Sequence, residues 1–389
     1  MTLNACPACG SRRLETIYRL ESIPVQSCIL LSSREEAENF PRGDITLEFC
    51  SSCGFIFNSV FEVQRVDYAA ATEESQHFSG TFNQFAQKLV SEIAERYELR
   101  GRQTLEIGCG KGDFLKALTS ATGASGVGVD PGFLQERIHV NGSDLKFVKE
   151  YFKPDRIDFT PDLVVCRHTL EHIPDVWDFV SDLDLTLHKQ SKALFFETPD
   201  AKRVLDKGAF WDIYYEHCSY FTLGSHARLF RRAGMSVTDL YLDFGGQYIV
   251  QYAMSATNGP SLPQEDDLNE VRQLVREFPG RVAATRDHWT SFVRDRHAAG
   301  KRVALWGGGS KATSFLTTNG LTEEVADVVD INPFKVGKFI PATGHEVRAP
   351  EALVDNPPDT VIVMNSIYTK EIGADLARLG LHPELVALP

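Results

Sequence analysis

The chain has 389 residues, of which 43% are hydrophobic and 24% charged, and its formal net charge is −13 at pH 7. This length predicts two or three domains of roughly 100–200 residues each. An excess of acidic residues, 53 against 40 basic ones, would repel phosphate backbones, so we expect no nucleic-acid partner. We also expect a cytoplasmic protein without a membrane partner, because no apolar run approaches the ~20 residues of a membrane helix and MTLNACPACG lacks a signal-peptide pattern.

Two short cysteine motifs lie near the start of the chain. Cys6 and Cys9 form CPAC, Cys50 and Cys53 form CSSC, and a glycine follows each motif. Two such pairs are typical of one tetrahedral zinc ion whose four protein ligands leave no open position for catalysis. We therefore predict a structural Zn²⁺ in an N-terminal domain of residues 1–65. Four unrelated thiols or a redox pair remain the alternatives.

A strand–turn–helix pattern follows in QTLEIGCGKGDFLKAL. An apolar strand ends at Glu106, closely spaced glycines come next, and a helix begins near Asp113. Small residues at such a turn let a nucleoside ligand approach the backbone and the amino end of the helix. We expect Gly108 and Gly110 to contact this ligand, and Asp130, at the end of the next strand SGVGVD, to accept hydrogen bonds from ribose hydroxyls.

The pattern E-x-G-x-G-x-G with an acid at the next strand end resembles motif I of class I S-adenosylmethionine-dependent methyltransferases. PDLVVCRHTLEHIPD and ALFFETPD continue the resemblance at two further strand ends. It implies an α/β Rossmann-like domain over residues 66–258 that binds S-adenosyl-L-methionine, with His168 lining the donor pocket beside the motif I residues. An NAD-type dinucleotide site is the main structural alternative.

The rest of the chain predicts a helical connection and a second strand–turn–helix unit within residues 259–389. Apolar residues recur at helical spacing in a polar stretch that we interpret as paired helices: Leu268, Val271, Leu274 and Val275. RVALWGGGSKATSFL then repeats the strand–glycine–helix order, and Asp330 ends the following strand. We expect a Rossmann-like C-terminal domain with a scaffold or substrate-binding role rather than a second dinucleotide site.

The stretch FWDIYYEHCSY places Tyr214, Glu216 and His217 in a segment without a clean period. With all three domains in order, the whole chain resembles the zinc-containing C-methyltransferases that act on nucleotide-linked 4-ketosugars in deoxysugar biosynthesis. In that family the Y-x-E-H loop lies over the methyl donor and its histidine is the proposed base. The resemblance thus implies His217 as general base, with Tyr214 and Glu216 beside it, and Ser79 at the amino acid end of the donor.

The chemistry explains the residue types in this loop. A carbon next to a ketone becomes nucleophilic only after it loses a proton, so C-methylation requires a base and a hydrogen-bond donor to the enolate oxygen. Histidine, with an ordinary pKa of about 6.5, suits the first task. Tyr214 could serve the second, and Glu216 could orient a nearby ring. A solvated loop with a structural histidine is the alternative interpretation.

Two departures from the ketosugar enzymes bear on the substrate. ATEESQHFSGTF lacks the tyrosines that precede a serine pair in that family, and FGGQYIVQY has Phe244 where a histidine is common. We expect a monomer that acts on a small molecule, most plausibly a nucleotide-linked sugar. An O- or N-methyltransferase on another metabolite and a non-catalytic scaffold remain open.

Overall fold

The computed structural model of the chain describes residues 2–138, 144–187, 190, 192–255 and 259–389. The predicted domain boundary at residue 258 lies outside these ranges. The strands are β1 (Leu14–Pro24), β2 (Arg42–Cys50), β3 (Ile56–Asn58), β4 (Gln103–Ile107), β5 (Ser125–Val129), β6 (Leu145–Val148), β7 (Leu163–Arg167), β8 (Ala193–Pro199), β9 (Ser219–Tyr220), β10 (Ser236–Asp243), β11 (Tyr248–Met254), β12 (Val303–Trp306), β13 (Asp327–Val329), β14 (Val347–Arg348), β15 (Thr360–Val363) and β16 (Glu384–Ala387). The α-helices are α1 (Arg34–Glu38), α2 (Gly80–Arg96), α3 (Asp113–Thr122), α4 (Val176–Thr186), α5 (Ala201–Lys207), α6 (Leu223–Arg232), α7 (Leu268–Ala298), α8 (Ser310–Asn319) and α9 (Thr369–Arg378).

The N-terminal sheet is antiparallel, with strand order β1-β2-β3-β9. Helix α1 lies in the gap between the two cysteine pairs and begins after Ser33, because the Ser33 side chain accepts a hydrogen bond from the backbone of Glu36. The last strand, β9, comes from the middle of the chain. A segment that we assigned to the second domain therefore completes the first sheet.

The central sheet has the order β10-β11-β8-β7-β4-β5-β6. The five strands from β8 to β6 in this order are parallel, and β11 and β10 are antiparallel additions at one edge. Strands β7 and β8 are almost completely buried, as expected where both faces of a parallel sheet are covered. The chain has the predicted class I methyltransferase fold, with an α/β Rossmann-like central domain.

The C-terminal sheet is entirely parallel, with the order β14-β13-β12-β15-β16. The glycine-rich turn after β12 leads directly into α8, and Asp330 follows β13. The expected second Rossmann-like unit is therefore present after residue 300.

One long helix replaces the pair of helices that we predicted before this unit. Pro279 has no backbone N–H and removes one hydrogen bond, which favours a break, yet α7 continues through it. The helix buries an apolar face that includes Val271, Phe278, Trp289 and Val293. Packing of this face outweighs the local preference for a break.

Three parts of the chain share one apolar core. Phe210 and Trp211 are fully buried in a cluster that also contains Ile45 of β2, Phe278 of α7 and Phe315 of α8. Large aromatic side chains contribute much of such a core because each buries a large apolar area. This core fixes the start of the Y-x-E-H segment. No helix in the described ranges combines the length and apolar character needed to cross a membrane.

Candidate active site

A cavity of about 750 Å³ lies where the three sheets and their helices meet, within the usual size range of small-molecule sites. It is lined by the glycine turn after β4, by the loop between α5 and β9, by the glycine turn after β12 and by Gln26 and Cys28 of the N-terminal domain. Residues predicted separately from three regions of the sequence therefore face one space.

The glycine turn after β4 requires glycine for two physical reasons. Gly108 and Gly110 have φ values of 70° and 53°, in the left-handed region that glycine adopts without strain. A Cβ atom on Gly108 would also lie 1.9 Å from Oγ1 of Thr169. Around Gly110 the nearest atom to such a Cβ is a carboxylate oxygen of Glu74, at 3.8 Å. A ligand can therefore approach the backbone closely at Gly110.

Asp130 holds this turn in place. Its Oδ2 accepts a hydrogen bond from the backbone N–H of Gly110 at 2.9 Å, and its Oδ1 accepts one from Gly132 at 2.7 Å. Each carboxylate oxygen keeps a second lone pair. The predicted hydrogen bonds to ribose hydroxyls stay a prediction, and the structure adds a rigidifying role for the same carboxylate.

Glu106 brings a buried carboxylate to the donor side of the cavity. Its side chain is 2% exposed, and burial raises its pKa to about 8. Within the described ranges its Oε2 has no hydrogen-bond partner. A cationic ligand would stabilise the charged form, since an unpaired charge in a buried site is costly. The ammonium and sulfonium groups of S-adenosylmethionine fit this requirement.

His168 is half-buried and lines the cavity beside the buried carboxylates of Glu171 and Glu197. Its Nε2 lies 2.6 Å from Oε1 of Glu197, and its Nδ1 lies 3.6 Å from Oε1 of Glu171. Burial lowers the pKa of His168, but the two carboxylates outweigh it and raise the pKa to about 9. Arg167 also bonds Glu197. His168 is therefore an imidazolium near neutral pH, and its contact with the donor stays a prediction.

Ser79 begins α2 and also lines the cavity. Its hydroxyl accepts a hydrogen bond from the backbone of Phe82 and donates to Oε2 of Glu371 on α9, at 2.8 Å. The same carboxylate accepts from the backbone of Gly80 and from Thr81. The hydroxyl hydrogen of Ser79 is thus used inside the protein, and its predicted contact with the amino acid end of the donor stays a prediction.

The Y-x-E-H loop is buried rather than solvated. Tyr215, Glu216 and His217 are 1%, 7% and 8% exposed. The hydroxyl of Tyr215 accepts a hydrogen bond from the backbone of Glu62, and the carbonyl of Cys218 accepts one from the backbone of Asn58. The N-terminal domain thus fixes the loop along one side.

His217 is held in its neutral form. Burial, followed by the neighbouring charges of His172, His168 and Lys311, keeps its pKa well below the ordinary value. The ring packs 4.2 Å from the ring centroid of Tyr214 and 4.7 Å from that of His172. Neutral imidazole is the form that accepts a proton. A ring nitrogen of His217 also lies within 4.8 Å of a carboxylate oxygen of Glu171, which can stabilise the ring once it is protonated.

Tyr214 and Glu216 complete the loop with a phenol and a carboxylate. Burial raises the pKa of Tyr214 well above its ordinary value, so the hydroxyl keeps its proton. Burial also raises the pKa of Glu216, whose Oε1 accepts a hydrogen bond from the backbone N–H of Ser27 at 2.8 Å. Ser27 thereby contributes to the site from the N-terminal domain. No local sequence signal indicated this.

The second glycine turn repeats the geometry of the first. The backbone N–H of Gly308 donates to Oδ2 of Asp330, and that of Asn332 donates to Oδ1, both at 2.8 Å. Lys311 and Lys335 lie on this side of the cavity. The sequence signal that could have assigned the turn after β12 to the site is Asp330, which follows β13 as Asp130 follows β5.

The two departures from the ketosugar family differ in where they lie. Glu74, Ser75 and Gln76 of the tyrosine-free segment line the cavity, as expected. Phe244 instead packs in a core cluster with Phe85, at 4.7 Å between ring centroids, and is 3% exposed. The apolar ring of Phe244 thus joins the core under α2, whereas Gln247 of the same segment lines the cavity.

The four N-terminal cysteines form one cluster away from this cavity. Sγ of Cys6 lies 3.7 Å from Sγ of Cys53, and Sγ of Cys9 lies 3.6 Å from Sγ of Cys50. All four sulfurs lie within 4.8 Å of one another. A tetrahedral zinc with Zn–S bonds of about 2.3 Å places its sulfurs about 3.8 Å apart. The cluster therefore fits the predicted ion.

A substitution at the first glycine turn tests its role as the donor site. Gly108→Ala should weaken binding of S-adenosylhomocysteine at least about tenfold, since the new Cβ must displace Thr169. Gly101→Ala is the matched control, because Gly101 also has a left-handed φ, 69°, but no atom near the added Cβ. Calorimetric titration measures both affinities. Equal affinities for the two folded variants would contradict a donor site at this turn.

Two parts of the chain match models of known protein families. A methyltransferase domain model matches residues 78–240, and a model of the C-methyltransferase C-terminal domain matches residues 261–381. The C-methyltransferase NovU of Streptomyces niveus is 28% identical over 312 residues, which cover 76% of this chain and 74% of NovU.

Solved structures with similarity to the chain include two methyltransferases. One is the magnesium protoporphyrin IX methyltransferase ChlM of Synechocystis PCC 6803 with bound S-adenosylhomocysteine, at 16% identity and a TM-score of 0.36, covering 45% of this chain and 83% of ChlM. The other is a putative S-adenosylmethionine-dependent methyltransferase of Listeria monocytogenes, at 10% identity and a TM-score of 0.36, covering 44% and 98% of the two chains. The two domain matches and the similarity to NovU, together with the central fold, identify the chain as an S-adenosylmethionine-dependent methyltransferase.

Proposed function

We propose that the enzyme methylates a carbon next to a ketone on a nucleotide-linked sugar, with His217 as the general base. One observation carries this proposal: the donor turn and the loop with Tyr214 and His217 line the same cavity. A base and a phenol beside the methyl donor are what enolate formation requires.

The loop residues have complementary tasks in this reaction. When bound, the donor supplies a methyl group activated by its sulfonium. The neutral ring of His217 takes the proton from the acceptor carbon, and the electrons of the broken C–H bond pass into an enolate. Tyr214 keeps its proton because of burial and donates a hydrogen bond to the enolate oxygen. The enolate carbon then forms the new C–C bond while the S–CH₃ bond breaks.

Carbon as the acceptor atom is supported by the match to a C-methyltransferase C-terminal domain and by the similarity to NovU. A nucleotide on the acceptor is supported by the charge on the C-terminal side of the cavity. Lys311 and Lys335 line the cavity there, and Arg203 approaches from α5. Asp212 pairs with both Arg203 and Lys311, and Asp330 pairs with Lys335. The three cations therefore exceed their two carboxylate partners by one positive charge, which can attract phosphate.

We also propose that Cys6, Cys9, Cys50 and Cys53 bind a structural zinc ion. The ion would hold the cysteine turns against α6, where Arg228 donates a hydrogen bond to the carbonyl of Cys53 at 2.8 Å. Four thiolate ligands complete its coordination, so the ion would stabilise the fold without taking part in the reaction.

A nucleotide screen tests the acceptor class. With S-adenosylhomocysteine at saturation, we expect one of dTDP, UDP, GDP or CDP to raise the melting temperature further, because binding to the folded state alone adds stability. The same nucleotides without S-adenosylhomocysteine serve as controls. No additional rise with any nucleotide would contradict a nucleotide-linked acceptor. NMR of the product then distinguishes a new C-methyl group from an O- or N-methyl group.

Removal of the proposed base tests the mechanism. His217→Ala should lower turnover by ~10²-fold, the usual range for a lost general base, while donor affinity stays nearly constant. Cys218→Ala is the control, because this buried thiol is adjacent in sequence and has no part in the proposed reaction. Single-turnover methyl transfer measures both variants. Turnover of His217→Ala at the level of Cys218→Ala would remove His217 from the mechanism.

Loss of one cysteine ligand tests the zinc proposal. Cys50→Ser should lower zinc content from about one ion per chain and lower thermal stability, because structural zinc contributes folding free energy. Cys166→Ala is a matched buried-thiol control on β7 that should keep the zinc. Elemental analysis and thermal unfolding report the two effects. A folded wild-type protein that contains no zinc would show that the cluster has another role.

A further inference from the structure

The carboxylate of Glu216 is held by the N-terminal domain through a single residue. Oε1 of Glu216 accepts hydrogen bonds from the backbone N–H of Ser27, at 2.8 Å, and from the Ser27 hydroxyl. Both side chains are buried, Ser27 being 2% exposed. The other oxygen, Oε2, has no hydrogen-bond partner in the described part of the chain, although Glu216 lines the cavity. The two oxygens of this carboxylate therefore differ in what they can still bind.

Ser27 is itself fixed by the C-terminal domain. Its Oγ lies 2.8 Å from Oγ of Ser310, and its carbonyl accepts a hydrogen bond from Oγ1 of Thr313 at 3.1 Å. The next turn of α8 holds the start of the loop, because Oγ of Ser314 donates to the carbonyls of Phe210 and Ile213. One helix thus sets the positions of both Ser27 and the loop that carries Glu216.

The charge state of Glu216 depends on few groups. Burial raises its pKa, and the hydrogen bonds from Ser27 together with the charge of His172 oppose this effect. His172 approaches from the turn after β7, with Nδ1 at 3.0 Å from the carbonyl of Glu216, and the Tyr68 hydroxyl donates to the same carbonyl. Cys28, Tyr214 and Tyr220 also interact with Glu216, and burial raises the pKa of each, so all three keep their protons near neutral pH.

We propose that Ser27 is a positioning residue of this methyltransferase: it fixes one oxygen of Glu216 and favours its ionised form, so that the other oxygen accepts a hydrogen bond from a hydroxyl group of the acceptor. This inference rests on the proposed role of the loop in acceptor binding. It assigns a hydroxyl-bearing acceptor to the site and does not require a nucleotide. It also gives the N-terminal domain a direct part in the reaction.

A purely structural link between the domains would not explain the residue types. Joining Ser27 to the loop requires only a hydrogen-bond acceptor, and a neutral amide would provide it without the cost of burying a carboxylate. A buried carboxylate with one oxygen left without a protein partner is costly unless a ligand completes its hydrogen bonding. Hydrogen bonds in which one partner is ionised are roughly twice as strong as neutral ones, which suits orientation of a substrate hydroxyl.

The experiment measures the pKa of Glu216 directly. Protein labelled with ¹³C at the glutamate carboxyl is titrated by NMR, and the signal missing in Glu216→Gln identifies Glu216. In Ser27→Ala the pKa of Glu216 should rise above that of the wild type, since a donor to the charged form is lost. Ser27→Thr, which keeps a hydroxyl, should restore it. Ser310→Ala should raise it less than Ser27→Ala does, because Ser310 holds Ser27 in place and Ser27 alone of the two bonds Glu216 in the described part of the chain. An unchanged pKa in folded Ser27→Ala would overturn the inference.

Turnover separates this inference from the proposed function. With S-adenosylmethionine and a dTDP-linked 4-ketosugar as probes, Ser27→Ala should lower kcat/KM at pH 7 about tenfold, with recovery at higher pH as Glu216 ionises. In a Glu216→Gln background the same substitution should have no further effect. If Glu216→Gln turns over at the wild-type rate, the proposed role of the loop is refuted. If Glu216→Gln lowers turnover but Ser27→Ala does not, only the role of Ser27 is refuted.

Discussion

The buried loop between α5 and β9 depends on one packing constraint, which is the shared apolar core around Phe210 and Trp211. Residues of the N-terminal sheet, of α7 and of α8 all pack in this cluster. Because protein interiors are packed as densely as organic crystals, a side chain in such a core has little freedom to shift. The loop leaves this core directly into the cavity. Its polar residues are therefore positioned by apolar contacts from three parts of the chain.

Burial in the same region decides which protonation states the site contains. His217 stays neutral, Tyr214 keeps its proton, and His168 is charged between two carboxylates. Near neutral pH the cavity thus holds two neutral side chains, His217 and Tyr214, beside one cation, His168. Their differences arise from the neighbours that the fold supplies, since desolvation acts on all of them and the carboxylates of Glu197 and Glu171 outweigh it at His168. Such separation of pKa values is typical of catalytic sites.

The N-terminal domain is part of the site rather than an appendage. Strand β9, which follows the loop, pairs with β3, and β2 pairs with β3 and ends at Cys50. The cysteine cluster is thus connected to the loop through three neighbouring strands. We infer that a metal ion in this cluster would stabilise the active-site loop as well as its own domain, because strand pairing couples the two.

The sequence by itself determined the local elements and their order. The glycine turn at Gly108 and Gly110, the cysteine pairs and the strand ends could be predicted because each depends on residues close together in the chain. Tertiary packing decided the rest: α7 continues through Pro279, Phe244 turns into the core, and Ser27 reaches Glu216 across 189 positions. A hydrogen bond between such distant residues has no local sequence signal, since its partners meet only after three sheets have packed around one core.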